Sequence, residues 1–179
     1  MTRIIVTGGC GFIGSNFLHH MIKKYPDYKF INIDKLTYSG NLENVRELEG
    51  RENYSFFQED ITNKEKIFEI IQEGDIVINF AAESHVDNSI SDPEIFIKTN
   101  VLGTQNLLGI AKEKKAKLFV QISTDEVYGS LNFYDPSSLE GDRLDPSSPY
   151  SASKAAAEML CLSNIRTFNQ PIIITRSSN

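Results

Sequence analysis

A glycine-rich turn near the start of the chain places the strongest constraint on its fold. The turn, TGGCGFIG at residues 7–14, follows an apolar run and opens an amphipathic stretch. At this spacing in a βαβ unit, Gly8 permits the tight turn, Gly11 lets a pyrophosphate approach the backbone, and Gly14 allows the helix to pack on the strand. The helix N-terminus adds free N–H groups and a partial positive charge. The segment therefore predicts a phosphate-binding strand–turn–helix unit.

An acidic residue further along the chain indicates which phosphate-bearing ligand this unit takes. Asp34 stands twenty residues after Gly14, at the end of the next apolar run. A carboxylate there accepts hydrogen bonds from a ribose 2′-OH and repels a 2′-phosphate, so NAD is favoured over NADP. Lys35 follows directly and weakens that preference. Asp60, at the end of the third apolar run, lies where an adenine edge is bound, and a helix-capping role is compatible with this position. The alternative is that the glycines only make a turn and Asp34 only caps a strand.

Six short apolar, β-branched runs alternate with amphipathic stretches along the whole chain. This rhythm predicts an α/β protein, a Rossmann-type doubly wound parallel sheet with helices on both faces. The predicted strands are residues 4–7, 29–33, 54–58, 76–80, 118–122 and 172–175, and the predicted helices are residues 11–24, 63–72, 93–114 and 149–167.

Local signals mark several boundaries within this pattern. Asp92 and Ser148 each precede a proline, which predicts a capping side chain followed by proline at the first helical position. Gly103 and Gly109 lie inside a predicted helix and cost stability there, which favours close packing against the sheet or a partner subunit. The connection at residues 130–148 is long for a compact domain and is predicted to be a lid or an interaction surface.

Composition excludes several functional classes. The 179 residues are 40% hydrophobic and 23% charged, which is typical of one globular domain spanning residues 1–179. A net charge of −6 argues against nucleic acid as a partner. No signal-peptide pattern or long apolar run is present, so we expect no membrane association and a cytoplasmic location. Cys10 and Cys161 are too few for a zinc site or a disulfide framework, so we expect no metal and two packing residues.

A second group of polar residues follows the fifth predicted strand. Thr124, Asp125 and Glu126 come at its carboxyl end, where ligands bind in open α/β sheets. In isolation such an acidic pair is better explained as a solvated turn. Tyr150 and Lys154 are four residues apart on a predicted helix and therefore share a face. An ammonium beside a phenol lowers the phenol pKa, which predicts a general base near neutral pH.

These motifs together resemble a known family. TGGCGFIG and YSASK, at residues 7–14 and 150–154, resemble the extended short-chain dehydrogenase/reductases. The likeness is more specific to the dTDP-glucose 4,6-dehydratases and runs the length of the chain. Related epimerases and decarboxylases share the glycine turn and the Tyr-Lys pair but typically lack adjacent Asp and Glu after Thr. The segments that carry the specific likeness are residues 32–41, 81–87, 123–129 and 175–179.

The resemblance implies a dehydration of a nucleotide-activated glucose, with NAD as a catalytic hydride carrier and a 4-keto-6-deoxy sugar as product. Tyr150 would remove the proton of the sugar 4-OH, Lys154 would hold the nicotinamide ribose, and Thr124 would hydrogen-bond the same hydroxyl. Glu126 would act as base at C5, and Asp125, protonated, as acid toward the C6 hydroxyl. These two carboxyl groups need environments that separate their pKa values.

The resemblance also implies the residues that contact the ligands. On the residue alone, His85 is better explained as a structural histidine with its hydrogen bonds satisfied. Contacts to NAD are expected from Gly8, Gly11, Phe12, Ile13, Gly14, Asp34, Lys35, Thr37, Gly40, Asp60, Ile61, Phe80, Ala81, Ala82, Ser84, Thr99, Ser123, Tyr150 and Lys154. Contacts to the nucleotide sugar are expected from Ser84, His85, Val86, Asp87, Thr124 and Asn179.

Chains of this family are longer, and the part beyond residue 179 is expected to carry most contacts to the nucleotide of the sugar. We therefore expect this chain alone to bind NAD weakly or incompletely, to have negligible turnover, and to form a homodimer in the full-length form. Two alternatives stay open: a nucleotide-sugar 4-epimerase or decarboxylase on the same scaffold, and a non-catalytic NAD-binding sensor or regulatory subunit. The dehydration acid and base argue against the second.

Overall fold

A computed structural model describes residues 1–132 and 134–178 as a six-stranded parallel sheet covered by helices. The strand order is β3-β2-β1-β4-β5-β6, and every neighbouring pair is parallel. This confirms the predicted Rossmann-type α/β class, and each predicted strand is present with ends shifted by at most two residues. The strands are β1 (Arg3–Thr7), β2 (Lys29–Asp34), β3 (Tyr54–Gln58), β4 (Ile76–Asn79), β5 (Leu118–Thr124) and β6 (Ile172–Ser177).

Helices lie on both faces of this sheet. One face carries α1 with a 3₁₀ helix at Leu42–Leu48, and the other carries α2, α5 and α6. The helices are α1 (Phe12–Lys24), α2 (Lys64–Ile70), α3 (Val86–Ser91), α4 (Pro93–Phe96), α5 (Thr104–Glu113) and α6 (Pro149–Phe168).

The continuous apolar runs of the strands follow from burial on both faces. Along β1, Ile4 and Val6 pack with Leu18 of α1, whereas Ile5 between them packs with Leu107 of α5. Successive side chains of a strand alternate between faces, so a sheet with two covered faces buries every position. Full burial of one such side chain contributes about 1.5–3 kcal/mol, and the two cores fix the sheet between the helices.

The long helix predicted at residues 93–114 is interrupted in the structure. Between α4 and α5 lies a π-helical segment, Ile97–Gly103. A Cβ atom at Gly103 would lie 2.5 Å from Cδ1 of Ile61, so the glycine permits close packing on the chain after β3, as predicted. At Gly109 no described atom outside the helix's own backbone lies within 4 Å of that position, so packing against the sheet is not found there, and packing against a partner subunit stays a prediction.

Proline and capping signals predicted both helix starts correctly, but the predicted side-chain capping bond forms at only one of them. Ser148 begins α6 with a reciprocal capping box, since its hydroxyl accepts from the Ser151 amide while the Ser151 hydroxyl accepts from the Ser148 amide. Asp92 makes no capping bond with its side chain. Its amide instead donates to the Asn88 carbonyl at 2.9 Å, because Asp92 closes α3, a helix that was not predicted.

The strand order reverses between β1 and β4, and the carboxyl ends of these two strands are where a ligand can enter. Polar side chains bridge the strands there: the Thr7 hydroxyl donates to Asn79 Oδ1 at 2.6 Å, and Asn79 Nδ2 donates to Gln121 at 2.9 Å. These hydrogen bonds satisfy buried polar groups at the carboxyl ends of three strands. In open α/β sheets this point is the usual ligand crevice.

Across residues 1–132 and 134–178, no helix combines the length and the apolar character needed to cross a bilayer. Cys10 and Cys161 are both free and buried, which confirms the prediction that they pack in the interior.

Candidate functional site

A cavity of about 480 Å³ opens at the carboxyl ends of the strands, where the strand order reverses. Every residue expected to contact NAD lines this cavity, from the glycine turn, the segment after β2, the chain after β3 and β4, Thr99, the end of β5 and the start of α6. The structure thus brings together residues that are distant in sequence. We call this space the first cavity.

The glycine turn shows which glycines the protein itself requires. Gly8 has φ +71°, and a Cβ there would lie 2.6 Å from the backbone nitrogen of Ala81. A Cβ at Gly14 would lie 2.3 Å from the Gly8 carbonyl oxygen. At Gly11 the nearest atom would be 3.4 Å away, an ordinary contact. The fold therefore requires Gly8 and Gly14, whereas the open space at Gly11 faces the first cavity and fits the close approach of a ligand.

The N-terminus of α1 faces the same cavity with its amides uncapped. Gly11 is the N-cap, no side chain bonds to this end, and the first turn holds no acidic residue. Phe12 and Ile13 line the cavity although they are 81% and 59% exposed. Free N–H groups and the helix dipole favour an anion here, so a pyrophosphate fits this wall.

Asp34 organises the wall beyond β2. Its carboxylate accepts hydrogen bonds from the amides of Cys10 and Leu36 at 2.9 and 2.8 Å. These bonds tie the glycine turn to the segment after the strand. A carboxylate offers about four acceptor positions, so Asp34 retains acceptors for ribose hydroxyls.

Lys35 is held by Asp60 rather than free beside Asp34. Its Nζ lies 2.7 Å from Oδ2 of Asp60, and Oδ1 accepts from the Thr62 amide. Burial alone would raise the pKa of Asp60, but Lys35 and Thr62 together lower it. Asp60 lies two residues beyond the end of β3, not at its end as predicted, because the strand stops at Gln58.

One buried polar group in the first cavity has no partner. The Ser123 hydroxyl, near the end of β5, makes no hydrogen bond to any group in residues 1–132 and 134–178. Buried hydroxyls are normally paired, so this atom fits a ligand that supplies the missing partner.

Tyr150 and Lys154 occupy the first two turns of α6 and line the first cavity. The Lys154 ammonium is 6% exposed and donates to the Ile122 carbonyl at 2.7 Å. Burial lowers the pKa of Lys154 to about 8, and the negative charge of Glu158 partly opposes that effect.

The prediction of a lowered Tyr150 pKa is wrong, because the structure raises it. Burial raises the pKa of Tyr150, and the negative charge of Glu126 raises it further. A hydrogen bond with the Thr124 side chain acts in the opposite direction. The pKa of the phenol is thus determined mainly by burial and by Thr124, Asp125 and Glu126. The Lys154 ammonium instead donates to the Ile122 carbonyl.

The polar residues after β5 form a 3₁₀ helix, Asp125–Tyr128, which begins beyond Thr124. The Thr124 hydroxyl accepts from the Glu126 amide and donates to Oδ1 of Asp125, both at 3.2 Å. Asp125 and Glu126 line a second cavity, of about 930 Å³. Tyr150 lines the first cavity and not the second, while burial and the charges of both carboxylates raise its pKa.

The residues expected to contact the sugar are placed less uniformly. Ser84 and His85 line the first cavity, whereas Val86 and Asp87 form the first turn of α3. His85 is exposed and has φ +72°. Asn179 lies outside the described residues.

Sequence reasoning missed six residues of the first cavity: Ile33, Tyr38, Ser39, Glu59, Glu83 and Ile122. Tyr38 and Glu83 make contacts that explain why. The Tyr38 hydroxyl donates to the Ser84 carbonyl at 2.7 Å. Glu83 is buried, and this burial raises its pKa, while its backbone is held by the Asn100 side chain. Both residues belong to segments already quoted for the resemblance, but their contacts reach 46 and 17 residues along the chain and leave no local pattern.

Comparisons with known proteins agree with this geometry. The dTDP-glucose 4,6-dehydratase of Haemophilus influenzae is 47% identical over the whole chain and 56% of its own length. The dTDP-glucose 4,6-dehydratase DesIV of Streptomyces venezuelae, crystallised with NAD, superposes with a TM-score of 0.93 at 40% identity, over 98% of this chain and 55% of its own. The UDP-glucuronic acid 4-epimerase of Bacillus cereus, solved with NAD, gives a TM-score of 0.87 at 31% identity, over 98% of this chain and 56% of its own.

The predicted likeness to dTDP-glucose 4,6-dehydratases is therefore confirmed, and the chain spans about half the length of the curated relatives it matches. The family model described as GDP-mannose 4,6 dehydratase matches residues 5–179. From the first strand to its last residue, this chain belongs to that family.

Proposed function

We propose that this chain contributes the NAD-binding Rossmann domain, residues 1–179, and the catalytic carboxylates of an enzyme that dehydrates a nucleotide-activated glucose, dTDP-glucose being favoured. The observation that carries the proposal is the position of Asp125 and Glu126 directly after β5, the strand whose Ser123 lines the first cavity. An epimerase needs the Tyr150 phenol but has no use for an adjacent acid and base.

The residues of the first cavity suit NAD. The uncapped start of α1 and the open space at Gly11 would hold the pyrophosphate, and Asp34 would accept from the ribose. Lys35 is neutralised by Asp60, which weakens any attraction for a 2′-phosphate. When bound, NAD would accept a hydride from C4 of the sugar and return it to C6.

Tyr150 would act as the base at the sugar 4-OH. Because burial raises its pKa and thus favours the protonated phenol, we expect deprotonation of Tyr150 to be coupled to ligand binding. Thr124 would stabilise the phenolate through its hydroxyl and hydrogen-bond the same sugar hydroxyl. Lys154, fixed by the Ile122 carbonyl, would direct its remaining N–H donors at the ribose.

Glu126 and Asp125 would carry out the elimination. Once C4 is a ketone, the C5 proton is acidic, and Glu126 removes it while Asp125 donates a proton to the C6 hydroxyl, which leaves as water. A C5=C6 double bond results, and after hydride reaches C6 a proton returns to C5. Ser84, His85, Val86 and Asp87 would border the sugar, and Asn179 would contact it.

The 4-epimerase alternative is favoured by one finding, the TM-score of 0.87 to an epimerase of the same scaffold. Glu126→Gln separates the two functions, because elimination needs a base at C5 and epimerisation at C4 does not. Under the proposal this variant loses 4-keto-6-deoxy sugar formation. The control Glu52→Gln, at an exposed position just before β3, retains it.

The full-length polypeptide that carries this sequence is the material for this test. Incubated with dTDP-glucose, it should accumulate a 4-keto sugar, and NAD should raise the melting temperature of the 179-residue chain, which alone should turn over negligibly. Absence of the ketone from the full-length protein would overturn the proposal. We further propose a cytoplasmic homodimer with a nucleotide sugar as its ligand, neither nucleic acid nor membrane being a partner. Light scattering of the full-length form tests its mass.

A further inference from the structure

The Arg176 side chain connects three separate parts of the structure beside the second cavity. From β6 its Nε and Nη2 donate to both carboxylate oxygens of Glu158 in α6, at 2.6 to 3.1 Å. Its Nη1 donates to the Tyr128 hydroxyl at the end of the 3₁₀ helix and to the Glu140 carbonyl in the long connection at residues 130–148. The guanidinium also lies 4.8 Å from the centre of the Tyr128 ring.

The burial of Glu158 and the geometry of the guanidinium fix the orientation of the Arg176 side chain. The Glu158 side chain is fully buried, and that of Arg176 is 15% exposed. A buried carboxylate without its partner is costly, so Glu158 holds the guanidinium in place. The planar fork of arginine has fixed donor directions, and binding Glu158 with one edge aims the other edge at Tyr128.

The 3₁₀ helix that carries the proposed acid and base is held at both ends. At its start the Thr124 hydroxyl accepts from the Glu126 amide. At its end Tyr128 is held by Arg176. Asp125 and Glu126 lie between these two attachments, so the direction of their side chains depends on both.

The Arg176 guanidinium also links the helix that carries Asp125 and Glu126 to α6, which carries Tyr150. Tyr150, Lys154 and Glu158 are spaced four residues apart on α6 and therefore lie along one face of the helix. Because Arg176 binds Glu158 with one edge and Tyr128 with the other, it fixes the position of the 3₁₀ helix relative to Tyr150.

We propose that Arg176 is a positioning residue that, through Tyr128, directs the Asp125 and Glu126 carboxylates toward C5 and C6 of the sugar. This inference rests on the proposed function. Its consequence is selective: loss of the Tyr128 contact should slow the proton transfer at C5 and leave NAD binding in the first cavity intact.

Tyr128→Phe is the decisive variant, because it removes one hydroxyl and keeps the buried ion pair. In the full-length protein with dTDP-4-keto-6-deoxyglucose in D₂O, we expect deuterium incorporation at C5 to slow by on the order of 10- to 100-fold, the effect of a small misplacement of a catalytic group. The kcat for dehydration should fall with it while KM and the Kd for NAD stay unchanged. Backbone amides of residues 125–129 should exchange faster. Tyr25→Phe, which changes a tyrosine stacked on Tyr28, is the matched control and should alter none of these.

Arg176→Lys keeps the charge but cannot bind Glu158 and Tyr128 together, so it should lose more of the C5 exchange than Tyr128→Phe does. If it fails to fold, Tyr128→Phe still decides the question. Normal C5 exchange in Tyr128→Phe overturns the inference. If the wild type itself shows no C5 exchange, the proposed function fails instead, and unchanged amide exchange at residues 125–129 in Tyr128→Phe would then overturn the role of Arg176 separately.

Discussion

The two cavities of this chain are built by different kinds of interaction. The first is shaped mainly by backbone: a glycine turn, an uncapped helix start and the carboxylate of Asp34 bound to two amides. The second depends on side chains that meet from distant elements, above all Arg176 with Glu158 and Tyr128. The difference teaches that the phosphate-binding wall of the first cavity is encoded in local sequence, whereas the direction of the carboxylates proposed for elimination requires the whole sheet and α6 to be assembled.

The largest expected effect comes from removing the buried negative charge of Glu158, which holds Arg176 beside the second cavity. Glu158→Gln leaves Arg176 without its charged partner in a buried position and should destabilise the chain by about 3–5 kcal/mol. Urea unfolding of the 179-residue chain measures this. Glu69→Gln, which removes the partner of Lys66 in an exposed ion pair, should cost less than about 1 kcal/mol. Equal effects in the two variants would show that burial of the Arg176 pair contributes little.

Lys154 lies where the two regions meet, and its pKa gives a pH-dependent test. Because burial lowers the folded-state pKa from 10.5 to about 8, the unfolded chain binds the proton more tightly between these values, and stability gained from Lys154 deprotonation should rise with pH across that window. Relative to Lys154→Met, the wild type should gain up to about 3 kcal/mol between pH 7 and pH 10.5, measured by urea unfolding. Lys117→Met, at an exposed position, is the control. A constant difference across this range would contradict the lowered pKa.

Two glycine substitutions sharpen the account of the cofactor side. Gly14→Ala forces a Cβ to within 2.3 Å of a backbone oxygen and should destabilise the chain by about 1–3 kcal/mol or more. Gly11→Ala meets no such contact, so its stability should stay within about 0.5 kcal/mol of the wild type while NAD binding is lost. Unfolding curves together with calorimetric titration of NAD separate the two. Retention of NAD affinity in Gly11→Ala would show that no ligand approaches this position.

The smallest effect concerns cofactor selectivity. Asp60→Asn removes the negative partner of Lys35, whose ammonium can then attract a 2′-phosphate. In the full-length protein the preference for NAD over NADP should fall by about threefold, the size expected of one partly exposed ion pair. Dissociation constants for both dinucleotides provide the measurement, with Asp27→Asn as an exposed control. An unchanged ratio would mean that Lys35 does not face the 2′ position.

The difference between the two cavities also separates what could be predicted from the sequence from what could not. Gly14 packs on the nearby Gly8 and Ser148 caps the nearby Ser151, so the start of α1 and the start of α6 could be predicted from short patterns. The contact of Gly8 with Ala81 leaves no such local pattern. The π-helical segment Ile97–Gly103 could not be predicted either, because hydrophobic periodicity does not distinguish it from a regular helix.

The elimination side shows the limit more clearly. The Asp125–Glu126 pair could be located at the end of β5, but the direction of its side chains depends on Arg176, fifty residues later. The prediction of a lowered Tyr150 pKa was wrong because helical spacing indicates a shared face and says nothing of burial or of the Ile122 carbonyl that binds the ammonium. Contacts between distant elements leave no spacing in the sequence.

Solvent deuterium at C5 tests the central claim most directly. Full-length protein incubated with dTDP-glucose in D₂O should yield a 4-keto-6-deoxy sugar that carries deuterium at C5, and Glu126→Gln should yield none of this product. A product in which C5 retains only its original hydrogen, or a Glu126→Gln variant that forms the deoxy sugar at the wild-type rate, would contradict the assignment of Glu126 as the base.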